Sequence, residues 1–157
     1  ASKRWQSAYE LSKILSDPDK IPLDEGFKSS IISAFEKSLH DDPKVRMYLA
    51  LAMGRTGDDV YGASLMTALN DDNAEVVTAS IQALGLIQYL PAVAQLSLMA
   101  TSSEFQPVRL ASVISLGQIG DKSSLPLLKN FLDDEEANIR WDAAIALAKW
   151  AIAQVRL

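Results

Sequence analysis

The stretch QPVRLASVISLGQIGDKSSLPLLKNFLDD, from Gln106 to Asp134, decides the fold. Pro107 stands where the first turn of a helix tolerates a missing N–H. Val108, Ala111, Ser112, Ser115 and Leu116 then recur at three- and four-residue steps, the spacing of one helical face. Gly117 and Gly120 end that helix, since glycine enters the left-handed conformation of a helix C-cap without steric cost. Asp121 with Ser123 or Ser124 can cap a second helix, in which Pro126 falls early enough to do no harm. Leu125, Leu128 and Leu132 form the buried stripe of that helix, and Asp133 and Asp134 lead out of it. The unit is a helical hairpin.

The same unit recurs on both sides. Val45, Val76, Val108 and Ile139 open four segments at spacings of 31, 32 and 31 residues. Gly54, Gly85 and Gly117 keep these intervals, as do Leu65, Leu96 and Leu128. A period of this length marks a solenoid, in which each unit is too small to bury its own apolar face and leans on its neighbours. The expected fold is therefore all-α, an α-solenoid of four to five stacked hairpins in one domain over 1–157. Residues 1–40 form a degenerate N-terminal hairpin, 41–71 repeat one, 72–103 repeat two, 104–134 repeat three, and 135–157 a partial fourth repeat with a long last helix. Repeat two has Gln88 where the second glycine would stand, and its one extra residue is expected in the Thr101–Pro107 connection. The small column Ala52, Ala83, Ser115 and Ala146, beside the large column Met53, Leu84, Leu116 and Leu147, predicts helices that interdigitate. Arg46, Arg109 and Arg140 repeat in register, with Val77 in place of one. They are expected to tie units together through a carboxylate such as Asp58 or Asp121.

The two ends depart from the pattern. Trp5, Tyr9, Leu11, Ile14 and Leu15 predict one helix, and Phe27, Ile31, Ile32, Phe35 and Leu39 a second, with breaks at Asp17-Pro18-Asp19 and Ile21-Pro22. Ala148 and Ala151 hold the register of the two glycines, so the last helix should run on from about Asn138 with no second helix over it. Trp150 and Ile152 are expected in the core of a terminal cap, a dimer or partner contact being the other use for them.

Charge and composition narrow the function. The net charge is −5, and residues 1–40 balance with six basic and six acidic side chains. The repeats hold nine basic against fourteen acidic residues, and no Lys or Arg lies between Arg55 and Arg109. Binding to a duplex needs clustered cations to displace phosphate counterions, so this gap argues against nucleic acid and toward a basic or apolar partner. The absence of cysteine excludes disulfides, thiolate metal sites and a cysteine nucleophile. No stretch approaches the ~18 apolar residues of a membrane span, so no membrane insertion is expected. The chain opens on Ala1 without a Met; a cytoplasmic module is expected, an exported one or a piece of a longer protein being the alternatives.

Catalytic motifs were sought residue by residue. His40 beside Asp41 and Asp42 suits a helix end, where a cation meets the dipole, better than a metal site. The acidic runs Asp41-Asp42, Asp71-Asp72 and Asp133-Asp134-Glu135-Glu136 lack the alternating ligands and central glycine of a calcium loop and fit helix caps. Gly54-Arg55-Thr56-Gly57 is a helix stop rather than a phosphate loop. No catalytic residue, cofactor or metal is expected.

Asp42-Pro43-Lys44-Val45-Arg46 followed by Ala52-Met53-Gly54-Arg55-Thr56-Gly57-Asp58 resembles HEAT repeats, of the short type first associated with bilin lyases. Pro107-Val108-Arg109 with Leu116-Gly117-Gln118-Ile119-Gly120-Asp121 matches equally well, and the resemblance covers residues 41–150. It implies a right-handed, armadillo-like superhelix whose second helices line the concave face. On that register the partner-binding positions would be Val60, Ser64 and Thr67; Leu90, Gln95 and Leu98; and Lys122, Leu127 and Asn130. Val60, Leu90, Leu98 and Leu127 are apolar where solvent would favour polar residues, as in a groove for a peptide or helix. The expected function is thus a non-catalytic scaffold that binds a protein or peptide. The alternatives are a bilin-lyase-like accessory subunit of an enzyme and, least favoured, a nucleic-acid binder. Oligomeric state is left open.

Overall fold

The structure is a computed structural model and describes residues 2–156. Nine α-helices lie among those residues, with no β-strand. Helices α1 (Ser2–Ile14) and α2 (Glu25–Lys37) form the first hairpin, joined by a 3-10 turn at Pro18–Lys20 and an extended run. Three hairpins follow: α3 (Pro43–Arg55) with α4 (Gly62–Ala68), α5 (Ala74–Leu86) with α6 (Val93–Ser102), and α7 (Gln106–Ile119) with α8 (Leu125–Asn130). The long α9 (Ala137–Val155) closes the series.

The helix boundaries follow from local chemistry. Asp42 accepts a hydrogen bond from the Lys44 N–H at the start of α3, and Asn73 accepts from the N–H groups of Glu75 and Val76 at the start of α5. Gly57 and Gly120 take φ of 69° at the ends of α3 and α7, a conformation that L side chains avoid. Gln88 holds the corresponding position in repeat two with φ 52°, and its amide Nε2 donates to the Gln118 carbonyl at 2.8 Å. Each turn then begins with a short 3-10 segment before the second helix, capped by Asp58 in repeat one and by Asp121 in repeat three.

Stacking supplies the core that no hairpin has alone. Val76 and Ile139 are fully buried and Val45 and Val108 nearly so, as are Leu65, Leu96 and Leu128 on the second helices. Helices α1, α3, α5, α7 and α9 pack in chain order, each against the next. The approach is close because small residues face each other. A Cβ on Gly54 would lie 2.7 Å from the Ala83 Cα, one on Gly85 2.6 Å from the Ser115 hydroxyl, and one on Gly117 2.5 Å from the Ala146 Cβ. The Ser115 hydroxyl also donates to the Ile81 carbonyl at 2.8 Å.

The second helices behave differently. Each of α4, α6 and α8 lies on the first helix of the following repeat, while successive members of this layer meet closely only at α2 and α4. The first helices thus form the continuous layer of the stack and the second helices the interrupted one.

The arginine register does not form the expected carboxylate ladder between units: Arg46 and Arg109 pair with carboxylates of their own repeats and reach the preceding unit only through backbone carbonyls. Arg46 is buried and forms a bidentate pair with Asp71, at 2.8 and 3.1 Å, while donating to the carbonyls of Leu39 and Asp41. Arg109 makes the equivalent pair with Asp134 and donates to the Ala100 carbonyl. Asp58 pairs instead with Lys28 of α2 at 2.8 Å, and Asp121 caps its own turn. Repeat two carries neither member: Val77 replaces the arginine, and Ser103 stands where Asp71 and Asp134 stand. Losing both leaves no buried charge unpaired.

The ends also differ from expectation. Trp5 stacks on Tyr48 of α3 at 6.1 Å between ring centres, and the Lys44 ammonium lies 4.8 Å from its ring centre. At the far end Trp150 is half-buried but Ile152 is exposed, so Ile152 is no part of a cap core. Among the described residues no helix packs over it.

Candidate interaction surface

The residues proposed from sequence lie where a partner could reach them. Val60, Thr67, Leu90, Leu98, Lys122 and Asn130 are exposed, and Ser64, Gln95 and Leu127 are half-buried. They fall on three helices that scarcely touch one another, and Leu127 packs against the core. The structure thus leaves three separate patches rather than one strip. Ser64 and Thr67 do share a cavity of about 440 Å³ between α2 and α4, with Phe35, Leu39 and the Arg46–Asp71 pair around them.

A more continuous apolar surface lies on the first helices. Met47 and Leu51 of α3, Thr78 and Gln82 of α5, and Leu110 and Ile114 of α7 occupy two equivalent columns, and all are exposed or half-buried. Met47, Leu51, Ala79 and Val108 line a cavity of about 280 Å³ between α3 and α5, and Phe105, 61% exposed, stands at its edge. Because successive first helices touch, these patches run into one another. Met47, Leu51 and Leu110 are half-buried against the core, and Ile114 is the apolar residue of these columns that lies off it.

The electrostatics of this face are one-sided. Glu75 lines the cavity, and Asp72 and Glu104 lie exposed in the turns that lead into α5 and α7. The arginines in register are engaged elsewhere. Burial pushes the Asp71 carboxyl up, but hydrogen bonds from Arg46 and the Asn73 N–H outweigh it and hold the group below the usual carboxylate range. The Asp134 carboxyl is likewise held low, by its hydrogen bonds with Arg109. These shifts belong to ion pairs that close repeats one and three, the Arg46–Asp71 pair bordering the cavity at Ser64 and Thr67.

A third cavity, of about 510 Å³, lies between the C-terminal ends of α5, α7 and α9, lined by Leu86, Gln88, Gln118, Lys149 and Trp150. His40 is exposed and isolated from it. Among the described residues no group of three or more His, Asp or Glu side chains is placed to hold a metal ion. No helix among them is long and apolar enough to cross a membrane.

Comparison with known proteins agrees with this architecture. Residues 93–154 match the family model described as HEAT repeats. Over 76 residues the chain is 30% identical to the phycocyanobilin lyase subunit alpha of Thermosynechococcus vestitus. That match covers 48% of this chain and 28% of the subunit, so the chain spans little more than a quarter of the relative it matches. Four copies of one register, stacked in chain order, and a match of this kind agree: the chain is an α-helical repeat protein whose repeats are similar to HEAT repeats of the bilin-lyase type.

Proposed function

We propose that the chain is a non-catalytic scaffold and that it binds a protein or peptide partner across the first-helix face of α3, α5 and α7. The observation that carries this reading is the apolar run from Met47 and Leu51 to Leu110 and Ile114, edged by Phe105 and bordered by Asp72, Glu75 and Glu104. Partly exposed apolar side chains on either side of the polar Thr78 and Gln82, with a charged rim, suit association rather than reaction. The acidic border, with no Lys or Arg between Arg55 and Arg109, selects a partner segment whose apolar side chains are flanked by basic ones. The same charge pattern disfavours nucleic acid.

The second-helix patches at Val60, Leu90 and Leu98 are the competing surface. Affinity capture with paired variants separates the two. Ile114→Glu should remove the protein bound by the wild type, while Leu98→Glu should retain it, both keeping the wild-type helical melt. Loss with Leu98→Glu alone would move the site to the second helices.

A second reading, an accessory subunit acting on a bilin, is favoured by the likeness to the lyase subunit. It requires the chain or its complex to hold a tetrapyrrole. Titration with phycocyanobilin that leaves both its absorption and the protein's melting temperature unchanged would dismiss it.

A further inference from the structure

The turn that leads into α7 is built like those before α5 and α9, yet it carries a different kind of side chain. Asp71, Ser103 and Asp134 each accept a hydrogen bond from the N–H two residues on, at 2.9, 3.2 and 3.0 Å. The residue so held has nearly the same backbone in all three turns, with φ and ψ of −94° and 121° at Asn73, −94° and 114° at Phe105, and −88° and 121° at Glu136. Asp42 and Asn73 use this position to cap α3 and α5, and Glu136 is polar and exposed there. The turn therefore has no need of a ring. Phe105 forfeits the bond to the first N–H groups of its helix and sets an apolar side chain in water. A local preference broken at an exposed position, in a turn otherwise kept, points to use by something outside the chain.

The ring stands at the edge of the cavity between α3 and α5, whose walls are Met47, Leu51, Ala79 and Val108. At about 280 Å³ this cavity is smaller than the roughly 300–1,000 Å³ that encloses a small ligand whole, and it suits a single side chain. Its border is acidic. Glu75 lines it and Glu104 precedes Phe105, and neither has an ion-pair partner among the described residues. Lys44, the cation at the start of α3, lies over the Trp5 ring instead. We propose that Phe105 and the cavity clasp one aliphatic side chain of the partner, leucine or methionine, presented by a helix that carries Lys or Arg one turn away to meet Glu75 and Glu104. Side chains three or four residues apart on a helix point the same way, so one face offers the apolar knob and the cation together. The Phe105 backbone is pinned on both sides, its N–H by the Ser103 hydroxyl and its carbonyl by the N–H groups of Val108 and Arg109. The ring is thus presented with little left to order on binding. This inference rests on the first-helix face as the partner surface and adds what that face recognises.

Phe105→Asn, which copies Asn73, separates this role from a structural one. The probe is a labelled amphipathic helical peptide of leucine and lysine. The wild type should bind it, and Phe105→Asn should weaken binding about thirtyfold while melting no lower than the wild type, since the cap is restored. Phe105→Trp should bind as the wild type does. The same peptide with alanine for its leucines, or glutamate for its lysines, should not bind. A wild type that treats leucine and alanine peptides alike would overturn the pocket, and so would a Phe105→Asn variant that melts lower or binds as tightly as the wild type. Ile114→Glu tells that failure from failure of the face itself. Loss with Ile114→Glu but not with Phe105→Asn would keep the first-helix surface and remove the pocket, whereas release by Leu98→Glu alone would remove both.

Discussion

Repeat two differs from the repeats on either side of it in ways that separate what the fold needs from what it merely uses. Repeats one and three carry an arginine, buried at Arg46 and half-buried at Arg109, paired with a carboxylate 25 residues later, and a glycine at the left-handed turn. Repeat two has Val77, Ser103 and Gln88 at those places and yet stacks as closely, with Ile81, Ala83 and Leu84 fully buried. Small residues at the helix crossings and leucines on the second helices are therefore sufficient for the stack. The ion pair is a device that must be kept whole or dropped whole.

Breaking one half of the pair gives the largest expected effect. Arg46→Val should lower stability by about 3 kcal/mol, because Asp71 is left buried and charged while the Leu39 and Asp41 carbonyls lose their donor. Adding Asp71→Ser, which copies repeat two, should recover at least half of that loss in urea melts. A double variant no more stable than Arg46→Val would show that the charge left behind is not what costs stability.

Acid sharpens the same contrast. The Asp58, Asp71 and Asp134 carboxyls have pKa values lowered in the folded chain, below the value of about 3.9 expected when unfolded. Their stabilisation is fully present above that value and is lost as pH falls through the lower folded values. The urea midpoint should hold steady from neutral pH to about pH 5 and drop below about pH 4, and the double Arg46→Val, Asp71→Ser variant should drop less.

The smallest expected change is at the turn. Gln88→Gly should stabilise by about 0.5–1 kcal/mol, the relief of a left-handed non-glycine residue less its exposed hydrogen bond to Gln118. Gly120→Ala should cost about 1 kcal/mol. Equal and opposite thermal shifts would support the comparison; a destabilised Gln88→Gly would show that the amide contact outweighs the backbone strain.

Much of the fold was legible because it rests on spacing along the chain. The valine, glycine and leucine columns each mark a helix start, a helix stop or a buried stripe, and the structure has an element at each. What stayed hidden depends on the distance between elements. Arg46 meets Asp71 where the chain returns after α4, while Asp58 meets Lys28 of α2. How little α4, α6 and α8 touch one another is likewise set by the packing of whole hairpins. Periodicity along one helix carries neither quantity. The same limit explains why the apolar run through Leu110 and Ile114 was passed over in favour of the second helices. The exposure of Ile152 could not be read either, since it turns on whether another helix covers α9.

The contacts at Gly54, Gly85 and Gly117 carry one more implication. Each fixes how near two neighbouring rods may come. A methyl group added at all three would force those rods apart while leaving every outward-facing atom chemically unchanged. The mould offered to a binding partner is thus set partly by positions that partner never meets.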